Sequence, residues 1–247
     1  MRRLVLGLAA AVFSTAALAG GLGEMSPEER DAFRAEVRAY LLENPEVITE
    51  AMAVLEEREA AAAELRDAAL VQANTDAIFK SPGDWVGGNP DGDVTVVEFM
   101  DYRCGYCRKA HEEVNALVKA DGNIRYVIKE FPILGDGSMV SSKFAIAVRM
   151  LHGDDAYKAA HNALVALRGD PTAETLTRLA ADLGHDPAPI LEKMATEEVK
   201  AVILANYRLA ETMDITGTPT FVIDGTMLRG YAPLDDMQKI VASERAG

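Results

Sequence analysis

Cysteine is nearly absent from this chain: only two of its 247 residues are cysteine, at positions 104 and 107. A framework of several structural disulfides is therefore excluded. Positive charge is also scarce, since 25 Lys and Arg residues stand against 39 Asp and Glu, for a formal net charge of −14. Such a surface repels nucleic acid and anionic lipid, so we expect no nucleic-acid partner.

Long apolar runs are lacking except at the N-terminus. There, Arg2 and Arg3 precede an apolar stretch over residues 4–18, which ends in the small residues around Ala19. This pattern predicts a secretory signal peptide over residues 1–19, cleaved after Ala19, with an uncleaved membrane anchor as the alternative. Cleavage takes the net charge from −14 to −16, because two arginines leave. We therefore expect the protein outside the cytoplasm, where disulfides persist.

Glycine is missing from residues 26–78, a segment rich in Ala, Glu, Arg and Leu. Ser26-Pro27-Glu28-Glu29 is a capping box with proline at the first helical position, and Asn44-Pro45 repeats the cap-plus-proline arrangement. Each predicted helix carries an apolar stripe that it cannot bury alone. We predict that residues 20–80 form a helical arm that makes homo-oligomers through residues 26–78. The alternative is a helical layer folded back on the chain's own second domain, residues 81–247.

The second domain begins after a turn-rich segment and alternates strand and helix signals. Apolar strands are predicted at residues 94–100 and 124–131, with a helix between them, which implies a right-handed crossover and parallel pairing. A hairpin is predicted around Asp224-Gly225. Further helices are predicted at residues 138–151, 154–167, 172–183, 188–213 and 234–241. The fold class is therefore α/β, with a helical insertion at about residues 138–213.

Both cysteines lie where the first of these strands ends and the helix begins. The free N–H groups and dipole of a helix start stabilise a thiolate, so we expect a lowered pKa at Cys104. Residues three apart on a helix lie about 5 to 6 Å apart, close enough for Cys104 and Cys107 to form a disulfide. The pair therefore predicts redox chemistry. Alternatives are an inert disulfide staple, a zinc site that adds His111, and Cu(I) bound by the two thiolates.

The order of these motifs resembles that of a known family. Cys104-Gly105-Tyr106-Cys107 after a strand, Thr218-Pro219 before another strand, and helices inserted between them resemble the DsbA-like branch of the thioredoxin superfamily, over about residues 82–247. Residues 40–48 are similar to the N-terminal extension of periplasmic proteins of the suppressor-of-copper-sensitivity C type. The resemblance implies a thioredoxin-like fold with an inserted helical domain, preceded by an N-terminal helical arm. It also implies a periplasmic location.

The resemblance implies a role for each motif residue. Cys104 would be the surface nucleophile that forms mixed disulfides, and Cys107 the more buried thiol that resolves them. Thr218-Pro219 would be a cis-proline loop that binds substrate. Glu98 matches the family's buried acid and would accept the proton of Cys107, although an exposed strand glutamate is the alternative. We expect Lys129, on the neighbouring strand, to pair with Glu98.

The dipeptide between the cysteines bears on the direction of electron flow. Gly105 and Tyr106, expected to contact substrate, replace the Pro-His of DsbA and are similar to the dipeptide of the isomerase DsbC. Because they add no charge, we expect a milder redox potential that suits isomerisation or reduction. We expect His111 to face solvent, with a positive charge from His111 near the cysteines as the alternative. The alternatives are a DsbA-type dithiol oxidase and a copper-binding protein. We expect no cofactor beyond the Cys104–Cys107 disulfide; the partners would be unfolded or misfolded exported proteins and a membrane-bound redox partner.

Overall fold

A computed structural model describes residues 25–246 and divides them into two compact units, one up to Glu59 and one from Ala60. The predicted signal peptide, residues 1–19, lies outside the described residues. Within the described range, none of the helices combines the length and the apolar character that a bilayer span requires.

The first unit is helical and contains α1 (Pro27–Glu43) and the start of α2 (Glu46–Ala73). The predicted capping box is confirmed: the Glu29 N–H donates to Ser26 Oγ at 3.2 Å, and the Ser26 N–H donates to Glu29 Oε2 at 2.8 Å. Asn44 does not cap α2 as expected. Its side-chain amide donates to the Tyr40 carbonyl at 2.9 Å and so ends α1, because the amide can donate as well as accept.

Five strands form one sheet in the second unit: β1 (Trp85–Gly88), β2 (Val94–Met100), β3 (Ile124–Glu130), β4 (Thr220–Ile223) and β5 (Thr226–Arg229), in the order β1-β3-β2-β4-β5. The predicted parallel β2–β3 pair and the β4–β5 hairpin are both confirmed. Strand β1 was not predicted, because Gly87 and Gly88 suggest a turn. Gly87 serves packing instead: a Cβ there would lie 2.0 Å from the Trp85 ring, so only glycine fits beneath the indole.

Eight helices complete the described part of this unit: α3 (Thr75–Phe79), α4 (Gly105–Asp121), α5 (Asp136–His152), α6 (Asp154–Ala166), α7 (Ala173–Asp182), α8 (Pro187–Lys193), α9 (Glu197–Thr212) and α10 (Leu234–Ala246), together with the end of α2. Helices α5 to α9 lie between β3 and β4, as the sequence predicts. One boundary is wrong: residues 188–213 form two helices, because the chain turns between Met194 and Thr196 without a Gly or Pro to mark the break.

A separate hydrophobic core packs against each face of the sheet. Alternate residues of β2 and β3 face opposite sides. Tyr126 and Ile128 pack with the Cys107 side, whereas Val97, Phe99 and Val127 pack with Val71 and Ile78 from the end of α2 and from α3. The last part of the predicted arm therefore belongs to the core of the second unit.

Candidate active site

Cys104 is the N-cap residue of α4, and a buried carboxylate holds the loop that carries it. Asp101, fully enclosed, accepts hydrogen bonds from the N–H groups of Arg103 at 2.7 Å, Ile133 at 2.8 Å and Leu134 at 3.0 Å. The Cys104 N–H donates to the Asp101 carbonyl at 3.1 Å. These bonds join the end of β2 to the loop after β3. Sequence reasoning missed Asp101, although a lone carboxylate directly after a buried strand was a usable signal.

The two thiols are free, but their environments differ sharply. Hydrogen bonding from Cys107 lowers the pKa of Cys104 to about 5, against the effect of burial and with help from Thr218 and from the backbone at Tyr106 and Cys107. Burial raises the pKa of Cys107 far above its ordinary range, and Cys104 and the charge of Glu98 add to this. Cys104 is thus a thiolate at neutral pH, while Cys107 keeps its proton.

The peptide bond between Thr218 and Pro219 is cis, as the resemblance implied. The Cys104 sulfur lies 3.1 Å from the Thr218 carbonyl oxygen, within reach of a hydrogen bond from the thiol form. Because this loop lies across the sulfur, Cys104 is only 7% exposed, less than expected for a surface nucleophile. Cys107 is 1% exposed. The structure therefore brings Cys104, Cys107, Thr218 and Pro219 together.

The rim of the site is aromatic and open. A Cβ at Gly105 would meet no atom within 4 Å, and Tyr106 is 63% exposed. The Tyr106 ring centroid lies 6.0 Å from that of Tyr231, whose hydroxyl donates to Glu113 at 2.5 Å. Lys109 Nζ lies 4.0 Å from the centre of the Tyr231 ring, a cation–π distance. Tyr231 was not predicted as part of the site. It lies just after the β4–β5 hairpin, 127 residues beyond Cys104, and no local motif marks it.

Glu98 is buried beneath the cysteines, as expected, at 2% exposure. Burial raises its pKa to about 7, while a hydrogen bond from the Tyr126 hydroxyl acts in the opposite direction. The expected pairing with Lys129 is wrong. Lys129 points to the other face of the sheet, where its ammonium donates to the Asp84 carboxylate and, at 2.9 Å, to the Ala77 carbonyl. Glu98 lies opposite Ile128 in the register, so neighbouring Lys129 has the wrong orientation.

A second buried carboxyl, Glu130, lies at the end of β3 and was also missed. It accepts hydrogen bonds from Tyr102 at 2.8 Å, Tyr157 at 2.6 Å and Ser142 at 2.7 Å. Burial raises its pKa to about 7. Tyr102 also contacts His161 Nδ1 at 3.1 Å. These hydroxyl groups bind a carboxyl that has no cation beside it, within the described residues.

His111 does not face solvent as expected but is half-buried between α4 and α6. Its Nδ1 lies 3.3 Å from His161 Nε2, and its Nε2 lies 3.0 Å from the Asn115 amide nitrogen. Burial lowers its pKa, which favours the neutral ring. No cluster of three or more His, Cys, Asp or Glu side chains arranged to hold a metal occurs between residues 25 and 246.

The chain was compared with known protein families. A family model described as thioredoxin matches residues 80–243, and a second, described as the copper resistance protein ScsC N-terminal domain, matches residues 29–62. Among curated proteins, Na⁺/H⁺ antiporter NhaA 1 of Salinispora arenicola is 30% identical over 164 residues, which are 66% of this chain and 25% of the antiporter. The chain therefore spans about a quarter of the length of that relative.

Solved structures resemble this one closely. A thioredoxin-like oxidoreductase of Silicibacter pomeroyi DSS-3 is 39% identical, with a TM-score of 0.66 over 70% of this chain and 98% of its own. BcfH of Salmonella enterica Typhimurium is 27% identical, with a TM-score of 0.75 over 89% of this chain and 97% of its own. With more than half of its length matched by the first family model, the chain belongs to the thioredoxin family, among the thiol-disulfide oxidoreductases that resemble ScsC.

Proposed function

We propose that this protein isomerises or reduces disulfide bonds of exported proteins in the periplasm. The observation that carries the proposal is the contrast between two sulfurs beside a cis-proline. Cys104 is a thiolate next to Thr218, whereas Cys107 is a protonated thiol in the interior. A nucleophile with a separate resolving thiol is what disulfide exchange requires.

The chemistry starts at the Cys104 thiolate. It attacks one sulfur of a client disulfide, forms a mixed disulfide, and the second client sulfur leaves as a thiolate that takes a proton from water. In isomerisation, another client thiolate attacks the client sulfur of the mixed disulfide and releases Cys104, with no net transfer of electrons. In reduction, Cys107 attacks Cys104 instead. The Cys104–Cys107 disulfide then forms, two electrons pass to the client, and Glu98 takes the Cys107 proton.

The rim supports binding of an extended, unfolded client. The Thr218-Pro219 loop supplies backbone beside Cys104, the open space at Gly105 admits a client main chain, and Tyr106 and Tyr231 offer aromatic surface. The absence of a charged residue between the cysteines favours isomerisation over strong oxidation. A membrane-bound redox partner would keep the pair reduced.

The arm supports a homo-oligomer. Large apolar side chains are exposed throughout the first unit: Phe33, Val37, Tyr40, Leu42, Ile48, Met52, Val54 and Leu55. Association with further copies of the chain would remove these apolar side chains from water. The proposed oligomerisation segment, residues 26–78, includes the stretch matched by the ScsC N-terminal model. Several catalytic sites would then face one client.

Refolding of scrambled ribonuclease in a glutathione buffer tests this function. The full chain without its leader should restore ribonuclease activity at least tenfold faster than buffer alone, and Cys104→Ser should lose the effect. Recovery at the buffer rate would refute the isomerase function. Insulin reduction in the same preparation then decides whether reduction remains.

A dithiol oxidase is the second candidate, favoured by the low pKa of Cys104. A value of about 5 lies between about 7 for thioredoxin and about 3.5 for the oxidant DsbA. If the oxidised chain rapidly introduces disulfides into reduced ribonuclease but does not rescue the scrambled form, it is an oxidase.

Copper binding is a further candidate function, because residues 29–62 match the N-terminal domain of the copper resistance protein ScsC. Cu(I) bound by Cys104 and Cys107 in the presence of excess glutathione, without reductase activity, would support that role.

A further inference from the structure

A buried acid that accepts a proton in each cycle has to return it to water before the next. Glu98 lies on β2, between β3 and β4 at the centre of the sheet, and is almost fully enclosed. Lys129 cannot assist, because it is paired with Asp84 on the opposite face. The group that helps Glu98 exchange its proton must therefore be on the same face as Glu98.

Tyr126 connects Glu98 to a cavity on that face. The Tyr126 hydroxyl donates to Glu98 Oε2, and the same residue lines a cavity of about 520 Å³ between β1, α4 and α6. Polar and charged side chains also line this cavity: Asn115, Lys119, Asp154, Asp155 and Lys158. The residue whose hydroxyl binds Glu98 thus also borders a polar cavity that can hold water.

Lys158, on α6 in the helical insertion, is the half-buried cation of this cavity. Its Nζ lies 5.2 Å from the Trp85 ring centre and 6.0 Å from that of Tyr126, and it donates to Asn115 Oδ1 at 2.9 Å. It makes no ion pair with a carboxylate of residues 25–246. Its positive charge lowers the pKa of Glu98, against the larger effect of burial. Burial lowers the pKa of Lys158 itself, while the charge of Glu98 acts in the opposite direction.

The Tyr126 hydrogen bond also lowers the pKa of Glu98, whereas burial and the neighbouring charged groups other than Lys158 raise it. Cys104 on α4 and Glu130 on β3 raise its pKa. Phe221 of β4, opposite Glu98, is apolar, as are the buried residues of α10, Met237 and Val241. Lys158 is thus the cation whose charge reaches Glu98, within the described residues.

The remaining neighbours of Lys158 leave its charge unpaired. His111 and His161 have lowered pKa values, so both rings are neutral near pH 7. Asp154 is paired with Arg149. Asp155, which also lines the cavity, is exposed and forms no ion pair with Lys158 within residues 25–246.

We propose that Lys158 is a positioning residue that sets the proton affinity of Glu98, and that Tyr126 carries the proton between Glu98 and the cavity. This inference rests on the proposed role of Glu98. When Cys107 attacks Cys104, the Cys107 proton passes to Glu98, the Cys104–Cys107 bond forms, and the client thiolate leaves. Once Glu98 is protonated, its carboxyl donates to the Tyr126 oxygen and the tyrosine hydroxyl turns away from Glu98. The Glu98 proton then passes to the Tyr126 oxygen as the hydroxyl proton moves to a water in the cavity.

The test is the pH dependence of the resolving step in the full chain. Cys104 is first converted to a mixed disulfide with thionitrobenzoate, and release of the coloured thiolate is followed from pH 5 to pH 9. The rate should rise with pH as Glu98 loses its proton. Lys158→Met should move the midpoint upward by about 0.5 to 1 pH unit, because a positive charge is lost. The rate below the midpoint should fall about threefold to tenfold, with little change at pH 9.

Two control variants separate charge from packing. Lys158→Arg keeps the charge and should retain the wild-type midpoint. Lys119→Met removes an exposed lysine of the same cavity and should also leave it unchanged. Tyr126→Phe should raise the midpoint, because the hydrogen bond to the Glu98 carboxylate is lost. It should also slow repeated cycles of disulfide exchange above the midpoint, because Glu98 then returns its proton to water more slowly. An unchanged midpoint in Lys158→Met, or an equal shift in Lys119→Met, overturns the inference.

A second measurement needs no substrate and no activity. The Glu98 carboxyl carbon is titrated by NMR in the wild type, Lys158→Gln and Lys158→Arg, with Glu98→Gln to assign the signal. An upward shift in Lys158→Gln alone supports the coupling, and coincident curves refute it. If the wild type shows no disulfide exchange but this shift is present, the proposed function fails while the coupling stands.

Discussion

The two units of this protein break the usual rule of burial in opposite ways. The helical unit up to Glu59 exposes large apolar side chains, and α1 has no buried residue at all. The unit from Ala60 buries ionisable ones: Glu98, Glu130 and Lys129 are each at most 3% exposed. Exposed apolar surface is unfavourable in water until a partner covers it. Burial of an acid is also unfavourable, but it raises the pKa of the acid into the range that proton transfer near neutral pH requires.

Each unit therefore has a different kind of functional feature. In the arm, function would lie in what covers the apolar side chains. In the catalytic unit, it would lie in proton affinities that burial has shifted toward neutral pH.

The largest effect is expected at the sulfurs. Cys104→Ser removes the nucleophile and should lower disulfide exchange by about a thousandfold or more. Cys107→Ser should instead trap clients as mixed disulfides, visible on a non-reducing gel, because resolution is blocked. Neither change should alter the oligomeric state if, as we propose, the arm sets it. Equal trapping by both variants would contradict the assignment of roles.

The second largest effect is expected on the free energy of unfolding, through the buried acid Glu98. Glu98 has a pKa of about 7 in the folded state against about 4.5 unfolded. The folded state therefore binds more protons between these values, and its stability falls as pH rises through this window. Glu98→Gln should raise the free energy of unfolding by about 3 kcal/mol at pH 8 and by almost nothing at pH 4.5.

Urea denaturation at several pH values checks this stability difference. The pKa of Glu130 is also raised, so Glu130 too makes the folded state less stable as pH rises. The free energy of unfolding of Glu98→Gln should therefore still fall with pH, but less steeply than that of the wild type. The exposed Glu112→Gln serves as the control. An equal gain at pH 4.5 and pH 8 would mean that burial of charge is not the cause.

An arm variant should have a smaller effect, confined to large clients. Phe33→Asp with Val37→Asp places charges on the exposed apolar face. We expect a monomer in light scattering and about a tenfold loss of ribonuclease rescue, because catalytic sites are no longer held together. Reduction of a small-molecule disulfide should persist. Asp31→Asn, on the polar side of α1, is the matched control. A wild type that is already monomeric would refute the role of the arm.

The smallest effect is expected at the dipeptide. Tyr106→His places a positive charge between the cysteines and should lower the pKa of Cys104 further. A one-unit decrease corresponds to a potential about 30 mV more oxidising. Tyr106→Phe should leave the potential unchanged. Iodoacetamide alkylation against pH measures the thiol pKa, and the wild-type midpoint should lie near 5.

Much of this architecture follows from local sequence patterns. Residues 94–131 gave the β2–α4–β3 unit because their periodicities are uninterrupted, and Cys104 was identified because it stands at that strand–helix junction. Strand β1 was hidden by Gly87, which fits under Trp85, and by Gly88, where a Cβ would lie 2.3 Å from the Ile124 carbonyl oxygen. The link from Lys158 to Glu98 spans 60 residues and two kinds of element, so no local spacing carries it. The Lys129 error has the same origin, because position in a strand reveals the face only when the register is known.

The central claim concerns the direction of electron flow, and equilibration with glutathione tests it most directly. The fraction of oxidised Cys104–Cys107 is measured against the ratio of reduced to oxidised glutathione. The account predicts a potential near or below about −180 mV, the value for protein disulfide isomerase, so that the pair can be kept reduced for exchange. A potential near about −120 mV, the DsbA value, would contradict it and make the protein an oxidase.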